Sequence, residues 1–368
     1  MPGRERFCYD ADVRAGLVYD SVYLEHDTGE HVENPRRIAA TMSHLEETGI
    51  TKRLVMLSPR PASREEVELI HAPEYVSRVK ARAEGGGGWL DPDTVVCSRS
   101  YEAALCAAGG ALVAVEAVMR GEVDSAFALV RPPGHHAVAD RAMGFCIFNN
   151  VAIAARFALD SFRLSRVLIA DFDVHHGNGT QDAFYADPAV MYFSTHEYPF
   201  YPGTGTVHET GSGQGEGTTV NFPMAAGWGD EEYLRAFQEV LVPVAHRFRP
   251  ELILVSAGCD AHWADHLAMM RMTVQGTGRI VTILKELADD LCGGRLVFTL
   301  EGGYNLRVMA SSVKATFDIL LGGSQIEDPL GPPSAATKQQ GFDEHIERIK
   351  TVHGLEIADA GSGRLHKR

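Results

Sequence analysis

Residues 166–180, RVLIADFDVHHGNGT, decide the predicted fold because an apolar strand runs directly into acids, histidines and glycines. The run RVLIA begins with a charged residue and is otherwise apolar, which is typical of a strand buried on both faces of a parallel sheet. Asp173 and His175 follow it two positions apart, so in an extended chain their side chains point to the same side and can bind one metal ion. Catalytic zinc usually has three protein ligands and one open position, so another segment must supply the third ligand.

Apolar runs elsewhere in the chain predict five further buried strands. These lie at 16–20, 125–130, 190–194, 251–258 and 295–300. Helices are predicted between them, and one of these, at 230–248, should be capped by Asp230 and kinked at Pro243.

Strand and helix alternate along the chain without a shift in composition, which favours one doubly wound α/β domain. We place this domain at 1–321. Residues 322–368 are assigned to a C-terminal tail with one short helix near 343–352.

The composition bounds the partners of this chain. It has 34 basic and 49 acidic residues among 368, a formal net charge of −15, which argues against a nucleic-acid partner and mildly favours cationic ligands. Six cysteines form no CxxC pair, so neither a disulfide framework nor a thiolate zinc cluster is predicted, and a reducing, cytoplasmic setting is expected. The first residues lack the apolar core of a signal peptide, and no apolar run approaches the ~18 residues of a membrane span. We therefore expect no membrane partner.

Four predicted strand ends carry side chains that suit catalysis. They are His135-His136, Asp173 with His175, Asp260, and Tyr304. Because the carboxyl ends of parallel strands lie along one edge of a sheet, these side chains are expected to converge. Asp173, His175 and Asp260 would complete a zinc site with O, N and O donors and leave one position open for water or a carbonyl oxygen.

Six motifs, in this order, resemble the zinc-dependent histone deacetylase superfamily: RPPGHHA, MGFCIFNN, DFDVHHGNGTQ, PGTG, GCDAH and EGGY. The resemblance spans roughly residues 15–320, and GHHA with the Asn of HHGNGT is similar to the class II and bacterial amidohydrolase branch. It implies the arginase-deacetylase fold, an eight-stranded parallel sheet with helices on both faces. It also implies zinc-dependent hydrolysis of N-acyl amines such as acyl-lysine.

The resemblance implies roles for five residues in proton transfer and charge stabilisation. His136 would be the general base toward water and then the general acid toward the leaving amine. His135 would be its electrostatic partner, oriented by Asp171, while Asn178 would orient His136. Tyr304 would donate its hydroxyl to the tetrahedral oxyanion. An amide at position 178 carries no full charge, so it should hold a cationic His136 less strongly than a carboxylate would.

The resemblance also implies structural potassium. A first ion behind the zinc would be bound by carboxylates, a hydroxyl and backbone carbonyls of Asp171, Asp173, Ser194, His175 and Thr195. A second ion would lie near Phe184, Asp187 and Val190.

The acyl-lysine channel of the family is matched by Gly144, Phe145 and Tyr201, and two aromatic faces there would hold the aliphatic chain of the substrate. An acid at the rim, either Asp91 or Asp93, would bind the substrate backbone.

Three positions near the predicted site depart from the family pattern or bear on its substrate. Leu267 stands where polyamine-selective relatives can carry a glutamate, and an apolar side chain is a poor partner for a second ammonium group. Cys259 precedes Asp260 where a larger residue is frequent, and packing is its expected role. His266 replaces a frequent proline and should place an extra imidazole near the mouth.

Other functions stay open at this point. An acetylpolyamine amidohydrolase would use the same chemistry on a smaller amine, whereas a pseudoenzyme would bind acyl-lysine without cleaving it. An arginase-like enzyme would need a second metal ion, for which the sequence lacks the additional Asp and His ligands. The expected partner is an acyl-lysine polypeptide or a small N-acyl amine, and the sequence is compatible with a homo-oligomer.

Overall fold

The computed structural model of the chain describes residues 13–334 and 341–355. The strands in these ranges are β1 (Ala15–Val18), β2 (Val55–Leu57), β3 (Gly88–Trp89), β4 (Val95–Val96), β5 (Ser125–Ala128), β6 (Val167–Asp171), β7 (Val190–Glu197), β8 (Thr219–Met224), β9 (Leu252–Ala257) and β10 (Leu296–Leu300). The helices are α1 (Arg36–Glu47), α2 (Arg64–Val67), α3 (Pro73–Glu84), α4 (Ser100–Met119), α5 (Asn150–Phe162), α6 (Asn178–Phe184), α7 (Asp230–Ala236), α8 (Val242–Phe248), α9 (Val274–Cys292), α10 (Leu306–Leu320) and α11 (Phe342–Val352).

Eight strands form one parallel sheet in the order β2-β1-β5-β10-β9-β6-β7-β8, and β3 and β4 form a separate antiparallel pair. The central strand β6 is buried on both faces, as its apolar run predicted. Leu168 and Ala170 pack into the hydrophobic cluster on one face, and Val167 and Ile169 pack into the cluster on the other. The predicted α/β fold with an eight-stranded parallel sheet is therefore confirmed.

Within the eight-stranded sheet, the two strands that the sequence pattern did not predict are the edge strands β2 and β8, and the short pair β3 and β4 outside that sheet was not predicted either. In β2, Val55 is 37% exposed and Met56 is 51% exposed, so the strand lacks a sustained buried pattern. Strand β8, TVNFPM, follows a glycine-rich loop and contains Pro223, a residue that argues against a central strand but is tolerated at an edge. An edge strand forms because it pairs with the neighbouring strand, and its own composition does not predict it.

Helix α4 is long and apolar enough to cross a membrane by length and composition, contrary to the prediction that no run approaches this length. Of its most apolar 18-residue window, 72% is buried inside the domain. The helix packs so closely that a Cβ atom on Gly109 would lie 1.7 Å from the carbonyl oxygen of Arg60. We therefore describe it as a core helix.

The predicted helix at 230–248 is interrupted, but not at the proline. Asp230 does not cap it, because its carboxylate accepts hydrogen bonds from the backbone N–H (2.8 Å) and hydroxyl (2.6 Å) of Thr273, the residue that precedes α9. Glu232 instead accepts a bond from the backbone of Gly229, the residue before α7. A π-helical turn at Phe237–Leu241 separates α7 from α8, and Pro243 lies in the first turn of α8.

Helix α11, in the region assigned to the tail, packs on the domain. Its Phe342 ring lies 4.9 Å from Trp228 and 6.0 Å from Phe222, and Asp343 pairs with Arg235 at 2.6 Å. The predicted boundary at 321 stays a prediction. Residues 1–12, 335–340 and 356–368, with Cys8 among them, lie outside the described part of the chain.

Candidate metal and catalytic site

The residues singled out at strand ends converge because their strands are neighbours. The order β5-β10-β9-β6 places four carboxyl ends side by side in the middle of the sheet. The tandem histidines follow β5, Tyr304 follows β10, Asp260 follows β9, and Asp173 with His175 follows β6.

Asp173, His175 and Asp260 form a buried group whose potential ligand atoms lie within 4.8 Å of one another. Nδ1 of His175 is 3.1 Å from Oδ1 of Asp173 and 3.4 Å from Oδ2 of Asp260. The backbone N–H of Gly302 donates to Oδ2 of Asp173 at 2.8 Å, and that of Val174 donates to Oδ1 of Asp260 at 3.1 Å. Both carboxylates are thereby oriented.

This donor set fits a zinc ion. Oδ2 of Asp260 is buried and has no hydrogen-bond partner in residues 13–334 and 341–355, which is unfavourable for a carboxylate unless a cation lies beside it. Two carboxylates and one imidazole are ligands that zinc accepts, and three protein ligands leave a position open.

Hydrogen bonds fix the tautomer of His136. The Nδ2 group of Asn178 donates to the backbone carbonyl of His136 at 3.3 Å, so its Oδ1, 2.9 Å from Nδ1 of His136, must act as the acceptor. Nδ1 therefore carries the proton, and the lone pair lies on Nε2. Burial, followed by the charges of His135 and His175, lowers the pKa of His136 well below its ordinary value. This imidazole is suited to accept a proton.

His135 is held in the opposite charge state. Its Nδ1 lies 3.0 Å from Oδ2 of Asp171, which also accepts a bond from the hydroxyl of Tyr192 at 3.0 Å. Burial alone would lower the pKa of His135, but Asp171, Asp173 and then Glu301 raise it to about 10. The two histidines, with ring centroids 4.0 Å apart, thus differ in charge because one faces a carboxylate and the other an amide.

Glu301 is a site residue to which the sequence pattern assigned no role. It is fully buried, and its carboxylate accepts bonds from the backbone N–H groups of Gly134 (2.7 Å) and His135 (3.1 Å) and from the hydroxyl of Ser256 (3.0 Å). Burial raises its pKa to about 7. A charged residue directly after a buried strand, inside the EGGY motif, was the available signal.

Asp265 and Arg37 hold the loop that carries Tyr304. The carboxylate of Asp265 accepts bonds from the backbone N–H groups of Tyr304 (2.7 Å) and Asn305 (2.8 Å). The buried guanidinium of Arg37 lies 4.9 Å from the Tyr304 ring and donates to the carbonyl of Gly303 at 2.7 Å. Burial raises the pKa of Tyr304 well above its ordinary value, although Arg37 opposes this, so the hydroxyl keeps its proton and can donate it.

A cavity of about 210 Å³ is lined at the site by the tandem histidines, His175 and Tyr304. The predicted channel residues Gly144, Phe145, Tyr201 and Leu267 line it, together with residues that the sequence pattern did not assign to the channel: Pro133, Cys146, Phe200 and Gly302. The Phe145 ring meets that of Tyr304 edge to face at 5.9 Å, and Phe200 stacks on His175 at 5.5 Å.

The rim acid that lines the cavity is Asp93. Its Oδ1 accepts a bond from the backbone of Gly144 at 3.2 Å, and burial followed by the neighbouring Asp91 raises its pKa to about 6. Asp91 has a different task, since its carboxylate caps the turn by accepting bonds from the backbone of Asp93 and Thr94. It does not line the cavity.

The residues assigned to potassium lie in two places. Oδ1 of Asp171 accepts a bond from the backbone of Asp173 at 3.1 Å, and Asp171 pairs with Ser194 across β6 and β7. The hydroxyl of Ser194 bonds to Nδ1 of His196 at 2.9 Å, while the hydroxyl of Thr195 is buried without a partner. Phe184, Asp187 and Val190 lie between α6 and β7, where the carboxylate of Asp187 already pairs with Arg156 at 2.5 Å.

Three further residues singled out in the sequence are His176, Cys259 and His266. His176 bonds to Thr204 at 2.7 Å and to Gln181 of α6 at 3.1 Å, so it connects the segment that follows β6 to the loop between β7 and β8. Cys259 is buried, and burial raises the pKa of its thiol to about 12, which disfavours a reactive thiolate. His266 is exposed.

Comparisons with known proteins identify the relatives of this chain. Residues 31–320 match the family model described as "Histone deacetylase domain". The chain is 40% identical over 365 residues to "Histone deacetylase 10, chloroplastic" of Oryza sativa subsp. japonica, covering 92% of this chain and 81% of the relative. It is 39% identical over 302 residues to a "Histone deacetylase-like amidohydrolase" of Pseudomonas aeruginosa, covering 82% and 80%. A solved structure, "Crystal Structure of HDA15 HD domain", superposes with a TM-score of 0.85 at 35% identity, covering 93% of this chain and 95% of that one.

Proposed function

Since this chain belongs to the histone deacetylase family, as its motifs predicted, we propose that it is a zinc-dependent deacylase that hydrolyses the amide of N-acetyl-lysine or another N-acyl-lysine. The observation that carries the proposal is the orphaned Oδ2 of Asp260, which faces a ligand group beside two histidines in opposite charge states. Such a group can hold a cation and move a proton at the same place.

Zinc would be held by Asp173, His175 and Asp260, and when bound it would lower the pKa of a coordinated water toward ~7 and polarise the acyl carbonyl. His136 takes a proton from the attacking water with Nε2, because its Nδ1 is committed to Asn178. It then delivers that proton to the amine nitrogen as the C–N bond breaks. The products are a carboxylic acid and an amine, which exchange the remaining proton to give a carboxylate and an ammonium group.

Two residues stabilise charge during this reaction. Tyr304 donates its hydroxyl hydrogen to the developing oxyanion, and its raised pKa keeps that hydrogen in place. His135, held protonated by Asp171, supplies a fixed positive charge beside His136. Because this charge lowers the pKa of His136, it also favours proton return to the leaving amine.

The cavity supports a slender apolar substrate chain. Phe145 and Tyr201 offer aromatic surfaces to the methylene groups of an acyl-lysine, and Asp93 at the rim can accept hydrogen bonds from the substrate backbone. Leu267 supports acyl-lysine over an acetylpolyamine, since it offers no charge to a second ammonium group. Leu267→Glu should accordingly shift the ratio of kcat/KM values toward acetylpolyamines.

We further propose one structural potassium ion near Asp171, where strand pairing places Ser194 beside Asp171 and the buried hydroxyl of Thr195 has no hydrogen-bond partner among the described residues. The second potassium near Phe184 stays a prediction, as do the polypeptide partner, the absence of nucleic-acid and membrane partners and a homo-oligomer. A cytoplasmic location also stays a prediction, since the rice relative is named as chloroplastic.

The test is turnover of a fluorogenic acetyl-lysine substrate by the full chain loaded with one equivalent of zinc. Tyr304→Phe, His136→Ala and a chelated sample should each lose on the order of 100-fold or more in kcat, while the matched tyrosine variant Tyr185→Phe, remote from the cavity, should not. Undiminished hydrolysis in all three would overturn the proposal. Tight binding of the acyl-lysine peptide without turnover would instead support the pseudoenzyme.

A further inference from the structure

We propose that His135, Cys146 and Glu301 form a second metal site, which takes a soft or borderline divalent cation such as Zn²⁺, Co²⁺ or Cd²⁺. One nitrogen of His135, Sγ of Cys146 and one carboxylate oxygen of Glu301 lie within 4.8 Å of one another, and all three residues are buried. Within the described ranges, only this group and the group of Asp173, His175 and Asp260 bring three such ligand atoms this close together. The groups adjoin, because Nε2 of His135 lies 3.8 Å from Oδ1 of Asp173.

Each of the three side chains has a ligand atom to offer. Nδ1 of His135 is committed to Asp171, so Nε2 is the nitrogen that remains. Cys146 is a buried free thiol whose sulfur lies 3.4 Å from the carbonyl oxygen of Gly144 and accepts a hydrogen bond from the backbone N–H of His136. The Glu301 carboxylate accepts three hydrogen bonds but forms no ion pair with any lysine or arginine in the described ranges. The positive charge beside it is that of His135, and a metal ion on Nε2 of His135 would replace that charge.

The donor set determines which ion fits. Imidazole nitrogen, thiolate sulfur and carboxylate oxygen together suit zinc, cobalt and cadmium, whereas magnesium and potassium prefer oxygen alone. Three protein ligands leave a fourth position for water. His135 and Cys146 both line the cavity, which therefore supplies that water and the route by which an ion enters.

Binding at this site must release protons. The thiol of Cys146 loses its proton to become a ligand. The second ion should consequently bind more tightly as the pH rises.

A functional consequence rests on the proposed deacylase mechanism. An ion bound to Nε2 of His135 uses the lone pair of that nitrogen and places an extra positive charge beside His136. The ring centroids of the two histidines are 4.0 Å apart. Proton transfer at His136 is then impaired, so excess metal should inhibit reversibly, by about tenfold or more in kcat at saturation.

The test is a cobalt titration of the full chain, read by metal content and by absorption. A thiolate bound to Co²⁺ gives a sulfur-to-metal charge-transfer band, and the catalytic group of Asp173, His175 and Asp260 contains no sulfur. The wild-type chain should bind two ions and develop the band with the second. Cys146→Ser should bind one ion without the band. Cys259→Ala is the matched control, since it removes a buried thiol that adjoins the ligand Asp260. This variant should retain both the second ion and the band.

Glu301→Gln provides a second variant that keeps hydrogen-bond acceptors for Gly134 and His135 but removes the charge. It should weaken the second ion by about 10- to 100-fold, as loss of a metal-supporting carboxylate does elsewhere. Saturation at one ion per wild-type chain, or a band that survives in Cys146→Ser, would overturn the proposal. These readouts need no turnover. A protein that binds the second ion but is inactive even with one equivalent of zinc would refute the deacylase and leave this site intact, whereas a protein that is active and never binds more than one ion would do the reverse.

Discussion

Gly302→Ala should remove the catalytic metal while leaving the sheet in place. A Cβ atom on Gly302 would lie 2.1 Å from Oδ2 of Asp260 and 2.6 Å from Oδ2 of Asp173. Real Cβ contacts essentially never fall below 3.0 Å, so the Asp260 oxygen must retreat by about 0.9 Å. Metal–ligand distances tolerate deviations of only about 0.2 Å. The methyl group therefore displaces two of the three ligands, one of them by several times that tolerance.

The expected result is a fall in zinc affinity of at least about 10- to 100-fold, the range found when only supporting residues are lost, with turnover falling in parallel. The assay loads the full chain with one equivalent of zinc, dialyses it against a weak chelator and measures metal content, thermal stability and hydrolysis of acetyl-lysine.

Gly276→Ala is the matched control for this prediction. Its Cβ would also lie 2.1 Å from a carboxylate oxygen, Oδ1 of Asp230, but outside the site. It should lower stability by ~1–3 kcal/mol through overpacking and still hold one zinc ion. If Gly302→Ala retained its zinc and kept turnover within about threefold of the parent, under ~1 kcal/mol in activation free energy, the assignment of Asp260 and Asp173 as ligands would be refuted.

Three further predictions address proton transfer, pH dependence and packing. Asn178→Asp places a carboxylate beside Nδ1 of His136 and should raise the pKa of that base. The acidic limb of the kcat/KM profile should therefore move to higher pH by about one unit or more. A limb that does not move would contradict the role of His136 as the base. Burial lowers the pKa of His71 from 6.5 to about 4, so the stability that this neutral ring contributes is present above pH 6.5 and is lost as the pH falls toward 4. Denaturant unfolding of His71→Gln should show a smaller loss over that window than the parent, and an equal loss would count against the burial of a neutral His71. Phe342→Ala should cost ~3–5 kcal/mol of unfolding free energy, against ~0.5 kcal/mol or less for the exposed Glu344→Ala on the same helix; equal melting of the two would contradict the packing of α11.

Local sequence patterns predicted the buried centre of the sheet well, because a strand buried on both faces is apolar without interruption. The run at 166–170 became β6, and the runs at 125–130, 251–258 and 295–300 became β5, β9 and β10, which form the middle of the sheet together with β6. The edges were missed for the converse reason. Half-exposed β2 and proline-containing β8 have no pattern of their own that differs from a loop.

Within the site, the sequence could not rank residues whose roles depend on distant partners. Asp91 and Asp93 are equivalent as a pattern, and only the turn that Asp91 caps leaves Asp93 facing the cavity. Glu301 follows a strand as Asp260 does, yet it bonds to the backbone of residues 167 and 166 positions earlier in the chain. No local spacing encodes such a contact.

By itself, the sequence determined the fold class, the family and the candidate ligand and proton-transfer residues, because each of these depends on residue types that follow an apolar strand. The family resemblance also implied that Asn178 pairs with His136 and Asp171 with His135. Only the tertiary structure supplied the burial and the distances that set the opposite charges of the two histidines, and it left Oδ2 of Asp260 buried without a hydrogen-bond partner among the described residues. The physical reason is that charge state and ligand geometry depend on burial and on atoms a few ångströms away, and these atoms belong to segments far apart in the chain.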